Sequence, residues 1–398
     1  MPYLQEFEEI RPYEDYEVEV VVKRLVREKN FLGFIKTIFP DFSLRTFINK
    51  LSNVKTISEF QQIFIYPIVQ QVIKNSITSL TYSGIDNVQR DVPYIFVTNH
   101  RDIILDSALL NYILYKNGLE TAEIAIGSNL LINKWISDLV KLNRTFIVKR
   151  NVPGRKLYHY SIILSKYIRY TITEKKRSIW ISQREGRTKD GDDRTQISLI
   201  KMFNISGEKD WVSNYMEVNI LPVTINYEFE PCDVEKVKEI YLRIKDENYS
   251  KSKLDDLNQM IGGLSVPKGR VHFTFGEPLN SKIPHLIRFP KKEFFKNLAK
   301  LVDTEIYKGY RLKPINYVAA DLFFKNTDYS KFYTQEDKDF FLSMMNEKLS
   351  KIEGERRLLE DLFLQIYANP VKNYFSVINS LIKVNSDETK NRKFGKNL

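Results

Sequence analysis

Residues 94–118 read YIFVTNHRDIILDSALLNYILYKNG, and this stretch decides the fold class of the chain. Its first five residues form an apolar run of strand length. After a polar turn, apolar residues recur at helical spacing over 103–116, and Gly118 supplies a helix stop signal. The stretch therefore predicts a strand over 94–98, a turn that carries His100, and a helix over 103–116.

The same alternation of strand and helix continues through the middle of the chain. Strands are predicted over 145–148, 178–182, 218–227 and 271–275, and helices over 155–174 and 196–203. Strands that alternate with helices of this length form an α/β layer. We therefore predict an α/β fold with a mixed, largely parallel sheet flanked by helices.

Helical patterns dominate on both sides of this layer. We predict an N-terminal helical region over residues 1–80, an α/β domain over 81–280, and a C-terminal helical region with a basic tail over 281–398. The C-terminal helices are predicted over 291–310, 317–324, 335–362 and 371–382. Residues 60–73 carry a broad apolar face that favours burial, with contact at a membrane interface as the alternative.

The charge of the chain indicates either an anionic partner or a surface that keeps the protein in solution. The 398 residues have a net charge of +11, and residues 281–398 hold 22 Lys and Arg against 15 Asp and Glu. Such a surplus suits a nucleic acid, an anionic lipid surface, a phosphorylated small molecule or an acidic carrier protein. No recognisable nucleic-acid motif accompanies the charge, so we do not expect a nucleic-acid partner.

The cysteine content and the apolar runs predict the compartment. Cys232 is the single cysteine, which excludes an internal disulfide and a multi-cysteine zinc site and fits a reducing compartment. No segment has the order of a signal peptide, and no apolar run reaches the roughly 18 residues of a spanning helix. We expect a cytoplasmic protein that associates peripherally with the membrane and holds no metal.

His100 is the histidine whose position suggests chemistry, because ligands of α/β sheets bind at the carboxyl ends of strands. It follows the strand over 94–98, and a histidine there can take a proton from a hydroxyl while a carboxylate orients its ring. Asp102 directly precedes the helix and has a simpler role as its N-cap. Asp106 lies one turn into the helix, and we favour it as the partner of His100.

Polar residues at the other strand ends extend the candidate site. Asn99 and Arg101 flank His100 and either organise the turn or, as we predict, contact the substrate. Two further segments place polar residues after predicted strands, namely Lys149 and Arg150 in one and Arg184, Glu185, Gly186, Arg187 and Lys189 in the other. Glycine at the second of these loops lets the backbone approach a ligand closely.

Four blocks in this order resemble the glycerolipid acyltransferases. The blocks are Asn99-His100 with Asp106, residues 146–150, the loop with Glu185 and Gly186, and a strand with Pro222 and Val223. The resemblance covers roughly residues 80–280. It implies a glycerolipid acyltransferase-like fold, with His100 and Asp106 as the catalytic pair and with Arg150 and the Glu185-Gly186 loop as the binding site for the acceptor's phosphate and glycerol.

Two spacings depart from the family pattern. Five residues separate His100 from Asp106, where the family usually has four, and a bulge in the turn can absorb the extra residue. Arg187 follows Gly186 directly, where the family usually has one residue between Gly and Arg. This second departure leaves open whether Arg184, Arg187 or Lys189 contacts the phosphate.

The resemblance implies acyl transfer from an acyl thioester, on coenzyme A or on acyl carrier protein, to the hydroxyl of glycerol-3-phosphate or of a lysophospholipid such as 1-acylglycerol-3-phosphate. His100 is then the general base, and no cofactor is required. Two alternatives remain open at this point. One is a phosphate-free acceptor such as an amino-acid-containing lyso-lipid, and the other is a catalytically inactive protein of the same fold that binds a membrane surface.

Overall fold

The computed structural model describes residues 5–38, 43–250, 252, 259–260 and 262–394, and a mixed sheet of seven strands lies at its centre. The strands are β1 (Ile77–Ser83), β2 (Ile95–Thr98), β3 (Glu123–Gly127), β4 (Thr145–Val148), β5 (Ile179–Ser182), β6 (Ile220–Tyr227) and β7 (Gly269–Phe275). Their order is β1-β7-β6-β2-β5-β3-β4, and every neighbouring pair is parallel except β6 with β7. The predicted α/β fold is confirmed.

Strand β2 occupies the middle of the sheet and is buried along its whole length. Ile95 and Val97 pack into the hydrophobic cluster on one face of the sheet, and Phe96 packs into the cluster on the other face. Strands that are covered on both faces are apolar at successive positions rather than at alternate ones. The run over 94–98 therefore marks a central strand.

Helices cover both faces of the sheet. They are α1 (Asp15–Leu25), α2 (Lys29–Ile38), α3 (Leu44–Ser52), α4 (Ile57–Phe60), α5 (Tyr66–Ser76), α6 (Leu105–Lys116), α7 (Lys134–Leu142), α8 (Gly154–Thr173), α9 (Ile197–Ile205), α10 (Trp211–Val218), α11 (Asp233–Lys245), α12 (Lys291–Lys308), α13 (Pro314–Phe324), α14 (Gln335–Leu349) and α15 (Arg356–Phe394). Helices α5 and α6 pack on one face of the sheet, and α8, α9, α10 and α12 pack on the other.

The C-terminal helices divide between two cores. Helix α12 packs on the sheet, where Leu298 and Val302 are fully buried. Helices α13, α14 and α15 form a separate core around Phe341, Phe363 and Tyr367, which Val237 of α11 also joins. Helices α11 and α12 both contact α15, which links the C-terminal helices to the rest of the structure.

Strands β1 and β3 were not predicted from the sequence. Strand β1 lies at an edge of the sheet, and most of its side chains are exposed or half-buried, so its sequence ITSLTYS has no apolar run. Strand β3 is only five residues long and begins with the buried Glu123. Both strands depend on pairing with neighbours that are distant in sequence, and a local pattern does not report such pairing.

The predicted helix over 335–362 is wrong, because the chain ends α14 at Leu349 and begins α15 at Arg356. A Cβ atom at Gly354, between the two helices, would lie 2.7 Å from the Tyr241 ring, so only glycine fits this close approach. Helix α15 then continues through Pro370, where a break before residue 371 was expected. The separate helix over 371–382 is part of α15.

Residues 60–73 are buried as the favoured prediction has it. A π-helix, Gln61–Ile65, leads into α5, which has Pro67 in its first turn, where proline needs no N–H partner. The rings of Phe60 and Phe64 pack against α1 and α2. Most of the apolar face of this segment therefore packs against protein, although Ile63 is 37% exposed. No helix in the described part of the chain has the length and apolarity needed to cross a bilayer.

Candidate active site

The turn between β2 and α6 holds His100 against Asp106. The His100 Nδ1 atom lies 2.8 Å from Asp106 Oδ2. The same carboxylate oxygen accepts hydrogen bonds from the backbone N–H groups of Arg101, at 2.6 Å, and Asp102, at 3.1 Å. A carboxylate that closes the turn in this way fixes the position of the imidazole. The five-residue spacing is therefore compatible with a His–Asp contact.

Asp102 has the capping role that the sequence suggests. Its Oδ1 accepts hydrogen bonds from the backbone N–H groups of Ile104 and Leu105, at 2.9 and 2.8 Å. These N–H groups lack partners within the helix, because they belong to its first turn. The two acidic residues therefore have different roles: Asp102 caps the helix, and Asp106 contacts His100.

Tyr227 completes the surroundings of Asp106. The phenol at the end of β6 donates a 2.9 Å hydrogen bond to Asp106 Oδ1, and both side chains are buried. Burial, together with the nearby carboxylate, raises the pKa of Tyr227 well above its ordinary value, so the phenol remains a donor. Asp106 thus accepts hydrogen bonds on both of its oxygens.

The side chain of His100 faces a cavity of about 620 Å³ at the carboxyl ends of the strands. The Trp180 ring meets the imidazole edge to face, with 5.6 Å between ring centroids. Because Nδ1 faces Asp106, the tautomer with a proton on Nδ1 leaves Nε2 free to accept a proton. His100 is therefore placed as a general base.

The walls of the cavity differ in character. One part is apolar and is formed by helices from three regions of the chain, with Phe34, Phe64, Ile68, Ile104, Ala108, Trp135, Ile136 and Leu139 among its residues. The other part is polar and contains Arg150, Glu185, Gly186, Arg187, Lys189, Glu239 and Arg243. His100 contributes to the same cavity, so one site has an apolar channel, a base and a cationic pocket.

Arg150 is the cation at the end of β4 that reaches this cavity. Its guanidinium forms an ion pair with Glu185 at 3.2 Å, and the arginine side chain is 26% exposed. A Cβ atom at Gly127 would lie 2.7 Å from Arg150 Nε, so the glycine that ends β3 makes room for the guanidinium. Gly186, in the loop after β5, also lines the cavity and adopts a φ of 71°, a left-handed conformation that favours glycine.

Three other cations belong to the polar wall. Arg187 is 9% exposed and donates a 2.5 Å hydrogen bond to Gln259. Lys189 forms an ion pair with Glu239 of α11, and Arg243 lies 2.9 Å from the same carboxylate. Of the three alternatives for the phosphate contact, Arg184, Arg187 and Lys189, the last two line the cavity. Glu239 and Arg243 were missed, since α11 follows the fourth block and has no motif of its own.

Four predicted binding residues, Asn99, Arg101, Lys149 and Arg184, do not line the cavity. The side chain of Asn99 bonds to Asp193 and to the backbone of Ile225. Arg101 is buried between Asp193, at 2.5 Å, and Glu230, at 3.2 Å. Lys149 pairs with Glu9, and Arg184 lies outside the lining as well.

The network around Arg101 anchors the turn instead. Lys236 donates a hydrogen bond to the Arg101 carbonyl at 2.9 Å and pairs with Glu230 at 2.5 Å. Tyr310 donates a hydrogen bond to Asp193. Burial raises the pKa of Asp193, and the charge of Arg101 opposes this rise. The turn that carries His100 is therefore fixed to β6, α11 and the end of α12.

The described residues hold no group of three or more His, Cys, Asp and Glu that could bind a metal ion. The other histidines have local partners or surface positions. His272 of β7 lies 2.8 Å from Thr81 and 3.0 Å from Ser83, and burial lowers its pKa to about 4. His159 and His285 lie on exposed parts of α8 and of the 3₁₀ helix Ile283–Arg288.

Part of this chain is similar to known acyltransferases. Residues 79–225 match the family model described as Acyltransferase. Glycerol-3-phosphate acyltransferases are similar in sequence: that of Pseudomonas fluorescens is 29% identical over 199 residues, which is 49% of this chain and 22% of the relative. The enzyme of the same name from Pseudomonas paraeruginosa is 26% identical over 236 residues, which is 56% of this chain and 27% of the relative.

Among solved structures, the 1-acyl-sn-glycerophosphate (LPA) acyltransferase PlsC from Thermotoga maritima is 14% identical, with a TM-score of 0.35 over 72% of this chain and 91% of that one. The chain spans less than a third of the length of the curated relatives it matches. The matched part, residues 79–225, contains most of β1, all of β2 to β5, most of β6 and the His100–Asp106 turn.

Proposed function

We propose, on the premise that residues 79–225 belong to the acyltransferase family, that this chain moves a fatty acyl group from an acyl thioester to a hydroxyl of glycerol-3-phosphate or of 1-acylglycerol-3-phosphate. The observation that carries the proposal is the cavity itself. His100, held at 2.8 Å from Asp106, lines the same cavity as a set of apolar side chains and a set of cations. This arrangement suits an acyl chain, a reacting hydroxyl and a phosphate in one site.

His100 acts as the general base in this reaction. Nε2 removes the proton of the acceptor hydroxyl while the oxygen attacks the thioester carbonyl. The tetrahedral intermediate then collapses, the carbon–sulfur bond breaks, and the thiolate takes the proton from the imidazolium and leaves as the thiol. Asp106 stabilises the imidazolium and keeps the ring oriented throughout. No redox cofactor takes part in these steps.

The cationic wall binds the phosphate of the acceptor. Arg150 is pre-oriented by Glu185 and by the space that Gly127 leaves, and a guanidinium can donate two parallel hydrogen bonds to a phosphate. Arg187 and Lys189 line the same part of the cavity. This chemistry favours a phosphate-bearing acceptor over the phosphate-free lyso-lipid.

Replacing Arg150 tests this assignment. We expect Arg150→Ala to raise KM for 1-acylglycerol-3-phosphate about 10- to 150-fold, because losing a charge-assisted hydrogen bond costs about 1.5–3 kcal/mol. KM for monoacylglycerol should change little. Lys149→Ala is the matched control, since the neighbouring cation pairs with Glu9 outside the cavity. An equal rise in KM for both acceptors would contradict a phosphate contact.

The apolar wall accepts the acyl chain of the donor. Ala108 lies on α6 two residues after Asp106 and lines this wall. We expect Ala108→Phe to slow transfer from long-chain donors about tenfold or more, since overfilling a packed site costs about 1–3 kcal/mol. Transfer from short-chain donors should remain within a few-fold of wild type. Ala108→Ser controls for the loss of alanine itself. If Ala108→Phe leaves the relative rates with long-chain and short-chain donors unchanged, the acyl chain does not lie along this wall.

The donor is an acyl thioester on coenzyme A or on acyl carrier protein, and the acceptor or product is a lipid. We therefore also propose that the protein works at the cytoplasmic surface of a membrane. An acidic acyl carrier protein would meet the net charge of +11 favourably.

Incubation of the purified protein with acyl donors and a panel of acceptors tests the proposed function. The panel contains glycerol-3-phosphate, 1-acylglycerol-3-phosphate, monoacylglycerol and an amino-acid-containing lyso-lipid, and products are identified by mass spectrometry. We expect new esters on the two phosphate-bearing acceptors. Ester formation on the phosphate-free acceptors alone would overturn the acceptor assignment, and no ester with any acceptor would favour an inactive surface-binding protein.

A further inference from the structure

The first turns of α8 and the loop before it form an exposed tip. Residues 151–159 are exposed except for the half-buried Val152. Leu157 is 48% exposed and Tyr158 is 65% exposed, although both are large apolar or aromatic side chains. We call residues 151–159 the α8 tip. Adjacent exposed side chains of this kind often mark an interaction surface.

The α8 tip lies at the same edge of the sheet as the active site. A helix that follows a parallel strand begins at the carboxyl end of that strand, and α8 follows β4. His100 stands at the carboxyl end of β2, which runs in the same direction. Arg150, which lines the cavity, directly precedes the tip. The tip therefore extends from the rim of the cavity.

The α8 tip itself carries basic residues and no acidic ones. Residues 151–159 contain Arg155 and Lys156 and no Asp or Glu, whereas the cations just before the tip are paired, Lys149 with Glu9 and Arg150 with Glu185. Arg155 and Lys156 are exposed directly before Leu157. An anionic surface would be attracted to these cations, and the attraction would weaken with salt.

We infer that the α8 tip docks on an anionic lipid bilayer and brings the mouth of the cavity to the membrane surface. Cations next to exposed apolar and aromatic side chains are the composition that binds the interface of an anionic bilayer, where the apolar groups enter the headgroup region. An acidic protein would pair with the cations of the tip, but it would not provide the apolar environment that a bilayer offers to Leu157 and Tyr158. The inference rests on the proposed function, and it assigns docking to the α8 tip rather than to residues 60–73, most of whose apolar side chains pack against protein.

A second basic and apolar patch provides a matched control. Ile287, in the 3₁₀ helix Ile283–Arg288, is 61% exposed and adjoins the exposed Arg288. The chain reaches this helix after β7, which runs antiparallel to β6 and therefore ends at the opposite edge of the sheet. A bilayer that meets the cavity mouth does not meet this patch.

Vesicle sedimentation tests the inference with the full chain. We expect wild-type binding to phosphatidylcholine vesicles to rise at least tenfold when a third of the lipid is replaced by phosphatidylglycerol, and to fall again at high salt. Leu157→Glu with Tyr158→Glu should lose at least tenfold of the binding to anionic vesicles, whereas Ile287→Glu should keep it. Glutamate in the first helical turns is favourable for the helix dipole, so α8 should persist.

Each other result would overturn the inference. If the double variant and wild type bind vesicles equally well, the tip does not dock on the bilayer. If Ile287→Glu loses as much vesicle binding as the double variant, the net charge of the protein determines binding and the position of the tip does not. Absence of wild-type binding, or a loss of transfer from acyl carrier protein without a loss of vesicle binding, would assign the tip to a protein partner. Transfer from a short-chain acyl-CoA to glycerol-3-phosphate in solution, measured in parallel, reports on the proposed function independently of docking.

Discussion

His100→Ala should reduce acyl transfer by about 10²–10⁴-fold or more, the range that general-base catalysis contributes, while the protein stays folded. The imidazole is 13% exposed at the cavity wall, and its hydrogen bond to Asp106 is the side-chain contact that holds it. Removing the imidazole enlarges the cavity and leaves the hydrophobic core of the sheet unchanged. The backbone bonds from Arg101 and Asp102 to Asp106 do not need the imidazole, so the turn should persist.

The measurement is the initial rate of ester formation, with circular dichroism and thermal unfolding as the test of folding. His285→Ala serves as the matched control, because this histidine is exposed in the 3₁₀ helix at the opposite edge of the sheet. We expect the control to match the wild-type rate. A folded His100→Ala protein with substantial turnover would remove His100 from the chemistry.

Asp106→Asn should be the second most damaging change, with effects on both rate and stability. Asp106 is fully buried and accepts hydrogen bonds from His100, from the backbone of the turn and from Tyr227. Asparagine keeps one acceptor oxygen but replaces the other with an NH₂ group. This NH₂ group would face hydrogen-bond donors, and the substitution would therefore favour the wrong tautomer of His100. We expect a rate loss approaching the roughly 10⁴-fold that the same change causes in a Ser-His-Asp triad.

The stability of Asp106→Asn should fall by about 1.5–3 kcal/mol, because a hydrogen bond to a buried charge is lost. Asp102→Asn is the comparison, since its Oδ1 caps the helix and asparagine caps about as well as aspartate. We expect that variant to retain most of its activity. Urea unfolding and steady-state rates of both variants decide the point, and the reverse ranking would assign the catalytic pair to Asp102.

The sequence predicts those parts of the fold that local patterns determine. The strand before His100 is an apolar run because it is buried on both faces, and α6 follows with a periodic apolar face and an acidic cap. Strand β1 shows no such pattern, because it is an exposed edge whose partner β7 lies nearly two hundred residues further along the chain. Pairing of this kind depends on the assembled sheet and not on the strand's own residues.

The same distinction explains which site residues were found. His100, Asp106, Arg150 and Glu185 follow strands whose carboxyl ends share one edge, so topology brings them together. Asn99 and Arg101 do not reach the cavity, since neighbours in an extended turn point away from the side on which His100 lies. Both bond to the buried Asp193 instead. Adjacency in sequence was therefore a poor guide to substrate contact.

Glu239 and Arg243 lie outside what a motif can report. Helix α11 follows the last block of the resemblance, and its residues reach the cavity only because the helix packs beside the Glu185 loop, where Glu239 pairs with Lys189. The apolar wall has a similar origin, because Phe34 and Phe64 come from the N-terminal helices. Sequence periodicity predicted that residues 60–73 are buried, but it did not predict what they enclose.

The most direct measurement is a crystal structure of the protein with 1-acylglycerol-3-phosphate and a thioether analogue of acyl-CoA whose acyl group cannot transfer. We expect the free hydroxyl of the acceptor to lie about 2.6–3.2 Å from His100 Nε2, within hydrogen-bond reach of the base. We also expect the phosphate to bind Arg150 and the acyl chain to lie along the apolar wall. An acceptor bound with its hydroxyl beyond the reach of His100, and with its phosphate away from Arg150, would show that His100 is not the base for this acceptor.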